Sequence, residues 1–188
     1  NDVGVTAESH DVITNVAGAA GVGLSGAGAG LSISVNQIEG RTLAAVRGEG
    51  TSVTALAKGG SGLKVATGRL REEIDLKSLV DWDSFDPASD WRPPVRDLLE
   101  TEQVRGVAVN ASSTHSIQAF TVNAGVAAGA GVAGNTTTNI VGGATRALVA
   151  DGARVNPAGN QAAAGGEQAV SVKASDHAYA HSLVGALG

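Results

Sequence analysis

The sequence predicts an all-β fold: a β-solenoid of the parallel β-helix kind, built from long repeats of about 60 residues and interrupted by a partly helical insertion. Three observations carry this reading. Short apolar-polar motifs recur along the chain, apolar and polar residues alternate with period two, and the hydrophobic residues are small. Hydrophobic residues make up 43% of the 188, yet aromatics are only 3% and glycines number 27. A core of Ala, Val and Gly is thin, so each layer must bury its faces against a neighbour.

The recurrence is read directly. Val3-Gly-Val-Thr-Ala7 returns as Val107-Ala-Val-Asn-Ala111 and as Val170-Ser-Val-Lys-Ala174, with His10, His115 and His177 a few residues after each. A Gly/Ala tract follows the first two copies, Ala19 to Gly30 and Asn123 to Ala133. Asn36 then corresponds to Asn139, and Thr42-Leu-Ala-Ala-Val46 to Thr145-Arg-Ala-Leu-Val149. Leu63-Lys-Val-Ala66 reads as the opening strand of a further unit. The expected organisation is a first unit over 1–67, an insertion over 68–105, a second unit over 106–169 and the start of a third over 170–188.

Leu31-Ser-Ile-Ser-Val-Asn36 alternates as a half-buried strand does. Its phase turns Ile33 and Val35 inward, with Thr136 and Thr138 at the same places in the second unit. Asn36 and Asn139 then face water; the competing arrangement is a ladder of amides bonded along the stack. Gly48, Gly50 and the Asp151-Gly152 pair supply the positive φ that tight corners need.

The insertion departs from this pattern. It carries both Trp residues and three of the four Pro, and its spacing predicts helices over Leu70 to Val80 and, after Pro93-Pro94, over Val95 to Glu102. Insertions into repeat folds collect on one face and often bind partners, so Trp82, Phe85 and Trp91 are the candidate binding residues, with surface glycans or host proteins as ligands.

Composition excludes several functions. With no Cys there is no disulfide or thiolate chemistry. The net charge is -5 and Lys and Arg are scattered singly, which disfavours nucleic acid. Val16 to Ile33 is long and apolar, but too rich in glycine for a membrane-spanning helix, and reads as packed strand. The chain contains no Met; it reads as a fragment or a mature product whose export signal lies outside it.

In the style of its repeats the sequence resembles the passenger regions of large bacterial exoproteins, the filamentous-haemagglutinin-like and autotransporter-like adhesins. The likeness rests on the Val-x-Val-x-Ala openings, the Ala/Gly tracts, the Asn36 and Asn139 strands and the Thr-x-Ala-x-Val strands before a Gly turn. It implies a secreted, cell-surface location and a role in adhesion, aggregation or biofilm cohesion. Its implied partners are other repeats of a long chain, or neighbouring copies joined end to end.

Specific chemistries were weighed against this structural role. His10, His115 and His177 would form a line if rungs stack, with His181 adding a fourth imidazole. No carboxylate or Cys accompanies them, so no metal is expected. Asp81, Asp83, Asp86 and Asp90 lack the Gly and Glu of a calcium loop. Glu72, Glu73, Asp75, Asp81, Asp83 and Asp86 are the acids a polysaccharide-cleaving enzyme would draw on, but aromatics to line a sugar cleft are few. The glycines of Gly26 to Gly30 lead into a strand rather than a helix, which argues against nucleotide binding. The expectation is a non-catalytic chain without cofactor.

Overall fold

The computed structural model of the chain describes residues 1–70, 99–157 and 164–187. Among these residues every regular element is a strand: β1 (Val3–Gly23), β2 (Ala27–Arg47), β3 (Ser52–Val53), β4 (Leu63–Leu70), β5 (Leu99–Val104), β6 (Gly106–Ala127), β7 (Ala130–Ala150), β8 (Arg154–Val155) and β9 (Ala169–Leu187). They form four sheets, ordered β1-β6-β9, β2-β7, β3-β8 and β4-β5.

Partners in the first sheet keep a fixed numerical separation. Asp2 bonds Gly106, His10 bonds Thr114 and Ala19 bonds Asn123, each pair 104 residues apart. Ser32 and Asn135, and Asn36 and Asn139, are 103 apart. A constant difference, rather than a constant sum, is the mark of parallel strands. β3 likewise pairs parallel to β8, Ser52 opposite Arg154. The chain therefore follows one path through β1, β2 and β3, follows it again through β6, β7 and β8, and begins it once more with β9.

Ser112 meets Ser175 at a separation of 63 residues. The first pass is longer than the second by 41 residues, which is the length of Leu63 to Gln103. Here the structure corrects two expectations. Leu63–Ala66 does not open a further pass: it pairs antiparallel with β5, Leu63 opposite Val104 and Ala66 opposite Thr101. The helix expected over Val95 to Glu102 is strand from Leu99 onward, and Leu70 is strand as well. Leu99 and Val104 are buried, and pairing with β4 satisfies the backbone, so tertiary burial overrides local helical spacing. The rest of the expected helical insertion, with Trp82, Phe85 and Trp91, lies outside the described residues.

Contacts divide the chain into two compact units. Unit 1 comprises Asn1–His10, Arg41–Thr114 and Ala144–His177, and unit 2 comprises Asp11–Gly40, His115–Gly143 and Ala178–Gly188.

Unit 1 holds the apolar core. Ala44, Val46, Ala55, Val107, Val109 and Ala111 are buried together, with Val3, Val5, Val53, Val149 and Val155 packed against them. Each fully buried valine contributes about 2 kcal/mol. The corner before β3 and β8 recurs: Thr51 N–H donates to Gly48 O and Ala153 N–H to Ala150 O, both at 3.1 Å. Gly48, Gly50, Asp151 and Gly152 all have positive φ, and the adjacent pair Asp151 and Gly152 (56° and 80°) matches the two central residues of a type I′ turn. Asn110, two residues from Ala108 on the same face of β6, is buried, and among the described residues neither amide atom has a hydrogen-bond partner. Asn110→Val is expected to stabilise the fold by about 1 kcal/mol, because it removes an unsatisfied polar group; chemical denaturation checks this.

Unit 2 has a different interior. β1 and β2 face each other across it, so partners converge towards the turn at Leu24–Gly26: Asn15 meets Asn36, Gly21 meets Ala29 and Gly23 meets Ala27. A Cβ at Gly28 would lie 2.5 Å from Val126 O, and one at Gly125 would lie 2.3 Å from Val132 O. Near the turns the facing backbones are in contact, so no branched side chain fits between them there; farther along the strands Ile38 and Ile117 are buried. This reverses the predicted phase of β2. Ser34 and Asn36 are buried, whereas Ile33 and Val35 are 78% and 61% exposed. Thr136 and Thr138 also point outward.

Candidate functional site

Two places combine polar groups with a defined geometry: the platform of β4 and β5, and the interior.

The platform is the β4-β5 hairpin. Leu63, Val65 and Val104 pack on Ala108 of β6, and a Cβ at Gly4 of β1 would meet Leu63 at 3.3 Å. The hairpin thus lies on the outer face of the β1-β6-β9 sheet, within unit 1. A Cβ at Gly68 would meet the Ser175 Cβ of β9 at 3.1 Å, Lys173 bonds Glu102, and the Thr67 hydroxyl donates to Glu100 O at 3.3 Å. β4 ends at Leu70 and β5 begins at Leu99; the candidate ligand-binding residues Trp82, Phe85 and Trp91 fall between them in sequence, outside the described residues.

Beside the hairpin an open cavity of about 560 Å³ is lined by Glu102, Arg105, Glu167, Ser171 and Lys173 among others. Its two cations are paired, Lys173 with Glu102 and Arg105 with Glu167.

The interior carries chains of side-chain hydrogen bonds. In unit 2, Asn15 Nδ2 donates to Asn36 Oδ1 at 2.7 Å and to Ser34 Oγ at 2.8 Å. Asn36 Nδ2 donates to Asn139 Oδ1 at 2.9 Å, and Asn139 Nδ2 donates to Ser182 Oγ at 2.7 Å. Asn36 and Asn139 therefore bond to each other instead of facing water. Asn123 Nδ2 bonds Gly134 O, and its Oδ1 accepts the Ala19 N–H at 2.7 Å. In unit 1 the hydroxyls of Thr42, Ser113 and Thr145 are linked at 2.7 and 2.8 Å, and Thr145 donates to Asp176 Oδ2 at 2.9 Å. Sequence reading singled out Asn36 and Asn139 but missed Asn15, Ser34 and Ser182. For Asn15 and Ser34 the available signal was their near-equal distance in sequence from the turn at Ser25.

The histidines do not form one line. His10 bonds Thr114 at 2.6 Å, and the 63-residue step places His177 beside Thr114 on its other side. His115 follows Thr114 in the strand and so faces the opposite way, inward. It is buried with its Nδ1 3.0 Å from Asp11 Oδ2, in space left by Gly40, whose absent Cβ would come within 3.6 Å of the imidazole. His181 meets Phe120 edge-on at 6.4 Å. Among the described residues no group of three or more His, Cys, Asp or Glu is placed to hold a metal ion. The acids considered for sugar cleavage lie in 71–98, outside the described residues.

No family model, no curated protein and no solved structure matches the chain. Among the described residues no helix is long and apolar enough to cross a membrane.

Proposed function

We propose that the chain is a segment of a β-solenoid that serves as a structural and adhesive part of a secreted bacterial surface protein. The observation that carries this reading is the repeated path, with parallel strands superposed at fixed separations of 104 or 103 residues and then 63. Side chains bonded along the stack, such as Asn36 to Asn139, tie one pass to the next, as a structural repeat requires. Among the described residues the outer strands β1 and β9 of the first sheet have no further strand at their outer edges, so the partners that fit are further repeats of the same chain or copies joined end to end.

A second reading is favoured by the anchored β4-β5 hairpin: a binding module whose specificity for a glycan or host protein resides in 68–105. One experiment separates the two. Removing residues 63–103, so that Gly62 joins Val104, is expected to leave the far-UV β signal intact and to shorten the first pass to the length of the second. Intact and shortened chains are then compared on a glycan array and on immobilised host matrix proteins. Binding lost with the segment assigns recognition to it, and binding retained assigns adhesion to the repeats. Collapse of the β signal on removal would count against the repeated path as the organising element.

A further inference from the structure

Unit 2 departs from an ordinary β-sandwich. Asn, Ser, Thr and Gly line much of its interior beside the buried Ile38, Ile117 and Ala119, while large apolar side chains stand on its outside. Of the large hydrophobic residues exposed on the described surface, 13 of 17 belong to it. Asp11 and Glu39 are its only Asp, Glu, Lys or Arg. From this arrangement we infer that the outer face of the β1-β6-β9 sheet in unit 2 is a docking surface for a second copy of this chain, packed face to face.

Register sets the shape of that surface. The separations of 104 and 63 residues align Val16, Phe120 and Leu183 in one row across the three strands, and Gly18, Val122 and Gly185 in the next. Val122 sits between its two glycines: a Cβ at Gly185 would touch its Cγ2 at 3.9 Å, and one at Gly18 would lie 2.7 Å from its carbonyl oxygen. A ridge thus runs beside a hollow. A two-fold axis between the rows places the ridge of one copy against the hollow of the other, which is the self-complementarity an isologous interface needs. Val16 is 73% exposed and Val122 54%, so both are accessible.

Three considerations select a second copy as the occupant. The face carries no Asp, Glu, Lys or Arg, so two copies meet without burying an unpaired carboxylate, ammonium or guanidinium. Its area, three strands about 4.8 Å apart and about twelve residues long, is about 570 Å² per copy. The pair then buries about 1,100 Å², at the lower bound of stable protein interfaces. Hydrocarbon suits the face less well, because the unpaired edges of β1 and β9 would be left without hydrogen-bond partners in it. The outer face of β2-β7, with Leu31, Ile33 and Val35 on one strand and Thr136 and Thr138 on the other, is narrower and more polar and serves as the control.

The test uses the complete 188-residue chain in sedimentation equilibrium. The native chain is expected to form dimers below about 100 µM, and V16E/V122E to associate at least tenfold more weakly with an unchanged β signal, while L31E behaves as native. Because the chain has no cysteine, Val122→Cys and Leu31→Cys each supply a single thiol in a nearly native molecule. A short bismaleimide should link the first into dimers and not the second. The inference is overturned by a native chain that stays monomeric, by V16E/V122E that associates as the native chain does, or by equal cross-linking at both positions. Association that grows as an open series and survives V16E/V122E also overturns it, since that is end-to-end pairing of sheet edges. So does native protein that floats with phosphatidylcholine vesicles instead of dimerising, if V16E/V122E abolishes the floating.

Discussion

Gly30→Ala is expected to cost about 3 kcal/mol, the upper end for overpacking, although it adds a single methyl group. A Cβ there would lie 2.5 Å from Ala124 O and 3.1 Å from Ala19 O. Both contacts are to backbone of the facing strands, and both strands are held in a parallel sheet, so no side chain can turn away to make room. The methyl must instead push the β2-β7 sheet off β1 and β6, which also stretches the hydrogen bonds across the interior, from Asn123 to Gly30 O among them. Urea unfolding followed by circular dichroism measures the loss. Hydrogen exchange read by mass spectrometry should localise it to peptides from 11–40 and 115–143. Gly166→Ala, where a Cβ meets nothing within 4 Å, is the matched control and should change stability by no more than about 0.5 kcal/mol. Equal effects at the two positions would mean that the facing backbones are not in contact.

Asn36→Ala carries the second large effect, a loss of about 2 kcal/mol. Asn36 is 3% exposed and sits at the centre of a chain of amides, accepting from Asn15 and donating to Asn139. Truncation strands the Asn139 carbonyl oxygen and leaves Asn15 with Ser34 alone. The neighbour Gln37 points outward, and Gln37→Ala should fall within about 0.5 kcal/mol of the native chain. The comparison decides the phase of β2 directly: were Ile33 and Val35 the inward residues, Gln37 would be the costly position and Asn36 the neutral one.

β2 also shows how far the sequence could be read. Alternation in Leu31 to Asn36 marks a strand, and it is one, yet the face is reversed. The strand runs unbroken from Ala27 to Arg47, and its apolar residues change parity midway: Leu31, Ile33 and Val35 are odd, whereas Ile38, Ala44 and Val46 are even. Both sets cannot face inward on one regular strand. The even set prevails because it carries Val46 and Ala44 into the apolar core and places Gly28 and Gly30 where the backbones touch. A window of six residues contains neither fact. The candidate site was legible to a similar depth. Asn36 and Asn139 could be matched as equivalent from their flanking motifs, but their bond depended on that same phase.

By itself the sequence determined that this protein is all-β, that Val3, Val107 and Val170 open equivalent strands, and that Gly48, Gly50, Asp151 and Gly152 turn the chain, because period two and positive φ are local properties written in adjacent residues. Only the tertiary structure decided that β4 pairs antiparallel with β5, that His115 turns inward to Asp11 while His10 stays outside, and that in β2 Ser34 and Asn36 turn inward while Ile33 and Val35 stay exposed. Each of these depends on which strand lies opposite, and a strand's two faces are chemically distinguishable only once the spacing of the sheets has excluded the larger side chains from one of them.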